Sequence, residues 1–310
     1  MHPFSRRGFL SAAATASAGA LLAGSPFTPV LAREPRQRLA AQDLGGGFWL
    51  LTGAGANVLA YASPEGALLV DGGNAAGSKA LLKLALQHTG ARRVHTLVNT
   101  HWHPEQTGSN AALGKQGARI IAHENTRLWL TRKNVVDWSA TPLAAFPKAA
   151  QPNKSFYTTE QIAFGGEQVG FGHLGQAHTD GDLYAYFPQA NILAAGGVVS
   201  SAGWPLMDWQ SGGWIGGLVG AYDRLLKVAN DTTRVIPANG PVVGRKELQA
   251  HRDMYFQIFD RLVKQLTKGM GPDEAYASGP AQEYEAQWGD SKPFVLASFR
   301  SLWGHYAPDA

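Results

Sequence analysis

The chain has 310 residues, no cysteine, 45% hydrophobic residues and a formal net charge of +4. That length allows one large or two ordinary domains with a buried core. The lack of cysteine excludes disulfides, a lipid-anchored cysteine and thiolate metal ligands, so any metal falls to His, Asp or Glu, and the charge is too mild to argue for nucleic acid or an anionic membrane.

The N-terminus reads as a targeting segment. "SRRGFL" sets Arg6 and Arg7 before the small apolar stretch Gly8–Gly24, and Val30 and Ala32 suit cleavage after Ala32. The expectation is a twin-arginine signal over residues 1–32 and export of the folded protein to a bacterial periplasm. The stretch is too short and too rich in Ala, Ser and Gly to span a bilayer. Without Arg6 and Arg7, the 27 basic residues become 25 against 23 acidic, a net charge of +2.

After the polar stretch Arg33–Arg38, "FWLLTGAGANVLAYAS" reads as two strands around a turn and "GALLVDGG" as a third, ending at Asp71. A helix follows in "AGSKALLKLALQHTG", stopped by Gly90. The strand "RVHTLVNT" then delivers His101. "SNAALGKQG" reads as helix and "ARIIAHE" as strand. Residues 131–160 read as one long loop with Pro142, Pro147 and Pro152, of the length typical of a lid. Further strands fall in "EQVGFGHLG", "DLYAYFP", "NILAAGGVV" and "TRVIPANG". Between the last two lie a Trp-rich loop, "GWPLMDWQSGGW", and a helix through "GGLVGAYDRLLKVA". An amphipathic helix covers Lys246–Lys268, and the Pro/Gly-punctuated tail 269–310 reads as an extension packing on the body. Strands interleaved with helices in two similar halves predict a layered α/β sandwich.

"HWHPEQTGSN" carries the chemistry. In an extended segment His101 and His103 point one way and Trp102 the other, so two imidazoles can meet one ion. A catalytic zinc commonly takes three protein ligands. His178, in the Gly-flanked "GQAHTDGD" between two strands, is the best third. His88, His95, His123, His173, His251 and His305 lack ligand-like spacing. The sequence contains no GxSxG, phosphate loop or HExxH.

Taken in order, "LLVDGG", "VNTHWHPEQTGSN", "GARIIAHENT", "GQAHTDGDLYAYFP" and "TRVIPANGPV" resemble the metallo-β-lactamase-fold hydrolases over about residues 44–268. The resemblance implies an αββα sandwich, four layers deep, over residues 33–268. It implies that His101, His103 and His178 hold the first metal, while Asp71 and Asp182 hold loops and imidazoles in place. It also exposes departures. Where the family usually has HxHxDH, this chain has Glu105 and Gln106; the later "GD" reads Gly196-Gly197, and "GHG" reads Ala238-Asn239-Gly240. Amides and glycine are poor ligands for a divalent ion, so the resemblance implies one metal and a dismantled second site.

Glu105 admits three roles: general base for the attacking water, fourth metal ligand, or salt-bridge partner of an Arg or Lys. Gln106 and Asn239 fit a hydrogen bond to each other or to a water, or a clamp on a substrate carbonyl. Trp102, Trp204, Trp209 and Trp214 fit either packing or an apolar substrate wall. The expectation is a periplasmic hydrolase with one zinc per chain, attacking an ester, lactone or amide of a small molecule and turning over β-lactams poorly. Iron suits the same donors. The alternative is a catalytically impaired binding protein on the same fold.

Overall fold

The computed structural model describes residues 38–306. The expected export signal, residues 1–32, lies outside them. The first half runs through strands β1 (Ala40–Gly45), β2 (Phe48–Thr52), β3 (Val58–Ser63) and β4 (Gly66–Val70), helix α1 (Ser78–Thr89), β5 (Val94–Val98), the one-turn α2 (Pro104–Thr107), α3 (Asn110–Lys115), β6 (Arg119–His123), α4 (Glu124–Leu130) and β7 (Lys154–Phe156). The second runs through β8 (Thr159–Phe164), β9 (Glu167–His173), β10 (Leu183–Phe187), β11 (Ile192–Ser200), α5 (Ile215–Val228), β12 (Arg234–Asn239) and the long α6 (Arg245–Thr267). Then come α7 (Pro272–Ala277), α8 (Glu285–Trp288) and α9 (Lys292–Tyr306).

Strands β1 to β7 form one seven-stranded sheet in sequence order; the other sheet has five strands, ordered β12-β11-β10-β9-β8. Alternation along each strand builds the layers. Phe48, Leu50, Leu59, Tyr61, Leu68 and Val70 face Phe171, Leu183, Phe187 and Ile236 across the gap between the sheets. Their neighbours Leu51, Val58, Ala60 and Leu69 turn the other way, onto Leu81, Leu82 and Ala85 of α1. On the second sheet Leu193, Ala195 and Val235 face α5, α6 and α9 through Leu218, Tyr222, Tyr255, Ile258 and Phe299. Because both faces of each sheet are covered, inner strands such as β4 and β11 are buried throughout and read as unbroken apolar runs. This is the αββα sandwich that the resemblance implied.

Residues 131–160 differ from a plain loop. They contain a one-turn 3-10 helix, a bridge between Asn134 and Leu143, and β7, which closes the edge of the first sheet beside β6. Residues 292–306 are a helix whose Phe294, Val295, Phe299 and Leu302 belong to the core shared with α5 and α6. Among the described residues no helix is long and apolar enough to cross a membrane.

Candidate metal centre

The chain leaves β5 at Val98 and, instead of running extended as expected, bends through Thr100–His103, where His103, with φ −64° and ψ 152°, opens α2. Pro104 stands at the first helical position, where its missing N–H removes no helical bond. His178 arrives from the loop between β9 and β10. The three rings meet edge to face, with centroids 4.7 Å apart for His101 and His103, 4.6 Å for His101 and His178, and 4.8 Å for His103 and His178. All three residues are buried, and one ring nitrogen of each lies within 4.8 Å of the others.

What stands behind each ring decides which nitrogen it offers. Asp71, in a left-handed conformation (φ 67°) after β4, accepts from the Thr100 N–H at 2.8 Å and from its hydroxyl at 2.8 Å. With its proton so directed, Thr100 Oγ1 accepts from His101 Nδ1 at 3.1 Å, which leaves Nε2 free. His103 donates from Nε2 to Asp208 at 2.9 Å, leaving Nδ1. Asp182 accepts from the backbone of His178 and Thr179, both at 2.7 Å, and its other oxygen lies 3.3 Å from His178 Nδ1. Each imidazole is therefore held by a carboxylate, directly or through Thr100, and turns its second nitrogen inward.

A cation fits this arrangement. His103 Nδ1 is buried without a hydrogen-bond partner, an arrangement that is costly unless something accepts its lone pair. Burial and the neighbouring His178 and His103 push His101 well below its usual pKa, so its lone pair is available at neutral pH. Burial also pulls His103 down, but the Asp208 and Glu105 carboxylates outweigh it and bring it up to about 9, so an incoming cation displaces a proton there. Burial, helped by the Glu105 and Asp182 carboxylates, lifts Asp71 to about 8 against its Thr100 hydrogen bonds, and positive charge nearby would bring it down again. Three imidazoles suit zinc, and iron as well.

The family model of the metallo-beta-lactamase superfamily matches residues 51–273. The chain belongs to the metallo-beta-lactamase superfamily. A metallo-beta-lactamase type 2 from Bacillus sp. (strain 170) is 27% identical over 160 residues, 52% of this chain and 56% of that one. The 2,4-dinitroanisole O-demethylase subunit alpha from Nocardioides sp. (strain JS1661) is 25% identical over 173 residues, 53% and 48% of the two chains. The chain thus spans about half the length of these relatives. Among solved structures, a metallo-beta-lactamase from Pontibacter korlensis superposes with a TM-score of 0.58 at 22% identity, covering 70% of this chain and 99% of that one. The sec-alkylsulfatase Pisa1 from Pseudomonas sp. gives 0.67 at 17% identity, covering 88% and 51%. At those identities the likeness is one of fold.

The positions at which this superfamily member departs from the usual motif are now placed. Glu105 is partly exposed, with Oε1 3.7 Å from His103 Nδ1, the nitrogen that faces the other rings. Among the described residues no Arg or Lys pairs with it, so the salt-bridge role has no support. Gln106 is buried; its carbonyl accepts from Gly72 N–H at 2.6 Å, bracing α2 against the end of β4, and its Oε1 has no partner. Asn239 is exposed at the end of β12, and no hydrogen bond joins it to Gln106. A Cβ on Gly197 would lie 2.6 Å from His178 Cε1 and 2.9 Å from His101 Cε1, so the glycine makes room for the rings themselves.

The four tryptophans separate. Trp102 is buried and stacks on Trp129 at 5.3 Å. Trp204 lies against Phe294 and Trp288 and donates to Gly289 O, while Trp214 stacks on His305 at 3.9 Å; both serve the C-terminal helices and are not brought to the histidines. Trp209 lines an open hollow with Trp129 and Val136. Two aromatic rings lie against the centre: Trp102, 5.1 Å from the His103 ring, and Trp138, 4.7 Å from it and carried by the 131–160 segment. Neither Trp138 nor Asp208 was picked out from the sequence.

Proposed function

We propose that this chain is a metal-dependent hydrolase which holds one divalent ion, zinc for preference, on His101, His103 and His178, and cleaves an ester, lactone or amide bond of a small molecule. One observation carries the reading: three inward imidazole nitrogens, each backed by a carboxylate, with a partly exposed fourth carboxylate beside them. A divalent ion in such a site supplies Lewis acidity and makes water acidic enough to deprotonate near neutral pH. Glu105 Oε1, 3.7 Å from His103 Nδ1, is the carboxylate that would accept a proton beside such an ion and give it to the leaving atom. Burial pulls the Glu105 pKa up, but the His103 contact more than offsets it, so the carboxylate stays ionised at neutral pH. Asp71, Asp182 and Asp208 fix the tautomers, and Trp138 covers one face of His103.

A single ion is supported by the chemistry of Gln106, Gly197 and Asn239, none of which offers a charged donor. With no second ion to steady the leaving group, activated esters and lactones suit this site better than β-lactams. The Bacillus relative's name supports a hydrolytic reading. The Arg6-Arg7 leader supports export to the periplasm.

The test is a panel of esters, thioesters, lactones and lactams offered to purified protein carrying one zinc per chain. Hydrolysis of at least one ester or lactone, abolished by His101→Ala and by a chelator, is expected. No turnover on the whole panel, with His101→Ala indistinguishable from the parent, overturns the enzyme and leaves a binding protein on the same fold.

A further inference from the structure

The 131–160 segment narrows, beside the metal centre, to a short tip. Val136 is buried against Trp102 and Leu130, and Leu143 bridges back to Asn134, so residues 137–142 run between two fixed points. Asp137, Ala140, Thr141 and Pro142 are exposed. Trp138 is the one large side chain of the tip, and it packs inward, 5.7 Å from the Trp102 ring and 4.7 Å from that of His103.

Beneath it lies His103, fully buried although it belongs to a loop. The rings of His101 and His178 flank it within the centre, and those of Trp102 and Trp138 lie outside. Trp102 stands in the chain between two of the histidines and stacks on Trp129, so Trp138 is the ring that can leave without disturbing them.

Little holds the tip down. Ser139 serves its own turn, its N–H donating to Val136 O at 3.3 Å and its hydroxyl to Thr141 O at 2.8 Å. Among the described residues the tip has two further polar contacts, both at Asp137: its N–H donates to Gln210 Oε1 at 2.7 Å, and its carboxylate stands 3.8 Å from the Arg300 guanidinium of α9. An ion pair between side chains 40% and 47% exposed is weak, and a single hydrogen bond is modest. The Trp138 indole N–H is buried beside the Asp208 carboxylate without a hydrogen bond to it, and would find water if the tip swung out. The closed position is thus favoured by the packing of one ring and two weak contacts, the low local stability that a gate requires.

We infer that residues 137–142 are a hinged cover which carries Trp138 on and off His103 and sets how fast an ion or a substrate enters and leaves the centre, with Arg300 and Gln210 as the positioning residues that latch it. The inference rests on the three histidines holding an ion, as proposed above, and not on the bond that is cleaved.

The experiment follows zinc uptake by the metal-free full chain and zinc release to an excess of coloured chelator. Arg300→Met and Gln210→Ala should each speed both by roughly two- to fivefold, leaving Kd unchanged because the latch touches no ligand. Trp138→Ala should be at least as fast, and adding Arg300→Met to it should change nothing further. Backbone hydrogen exchange over residues 137–142 should quicken in both latch variants, with or without zinc, while β4 keeps the parent's rate. Parental zinc rates in both latch variants, faster release with weakened Kd, acceleration by Arg300→Met without Trp138, or unchanged hydrogen exchange at the tip would each overturn the cover. A parent that binds no zinc at all would defeat the proposed function instead, and hydrogen exchange would then decide the cover alone.

Discussion

His103 offers Nδ1 because Asp208 holds Nε2 at 2.9 Å, and Asp208 is itself fixed by the Ser211 hydroxyl. Asp208→Ala should therefore weaken metal affinity roughly 10- to 100-fold, read by competition against a coloured chelator, with an unchanged circular dichroism spectrum; unchanged affinity would deny Asp208 that role. Glu105→Gln distinguishes the two surviving roles of that residue. As a base, its loss should lower kcat by roughly 10²- to 10⁴-fold with metal content intact, whereas loss of the ion would make it a ligand. The sequence exposed the three histidines, Asp71 and Asp182 because each sits in a local motif: HxH, a strand-end Asp before two glycines, and an Asp four residues after His178. Asp208 and Trp138 have no such marker. Asp208 reaches His103 from 105 residues away, in a loop whose spacing says nothing about its target.

The start of α5 runs so close to the segment before His178 that a Cβ on Gly217 would overlap the carbonyl oxygen of Gln176. Gly217→Ala should thus cost on the order of 1–3 kcal/mol, a fall of several degrees in melting temperature, and should loosen the third ligand; a variant as stable as the parent would show that α5 can give way. Strands β6 and β9 meet through a second pair of rings, His123 and His173, stacked at 3.7 Å. Burial and the neighbouring His173 lower His123 from 6.5 to about 4. Both folded and unfolded chains are neutral at this residue above pH 6.5; between 6.5 and 4 the unfolded chain takes up a proton that the folded one refuses. Stability should therefore decline as pH falls through that window, and His123→Gln should flatten the slope of melting temperature against pH. An unchanged slope would assign acid sensitivity elsewhere. Inner strands and the helices α1, α5 and α6 were legible because both their faces or one clear stripe are buried. Strand β8 was not, being an edge strand with alternating exposed polar residues, and neither was β1, exposed along most of its length. Helix α4 hid because its cap is a histidine, His123 accepting from Asn125 N–H, and α9 because Pro293 reads as a breaker although it stands in the first turn, where proline is tolerated.

The seven-stranded sheet supplies His101 and His103, and the five-stranded sheet supplies His178, so one ion would tie the two sheets together at an edge of the sandwich. Removing it should lower stability by about 4 kcal/mol when metal had been present at a thousand times its Kd, a drop on the order of 10 °C in a melting scan with chelator; no drop would mean that folding does not feel the site. The proposed export signal at Arg6-Arg7 has a test in the cell: replacing both with lysine should keep the protein in the cytoplasm, detected by fractionation, and unchanged export would refute it. The most direct measurement is anomalous diffraction at the zinc and iron edges from protein isolated with its native metal. One ion is predicted, bound by His101 Nε2, His103 Nδ1 and His178 Nε2. Two ions in the cleft, or none between rings that have moved apart, would contradict it.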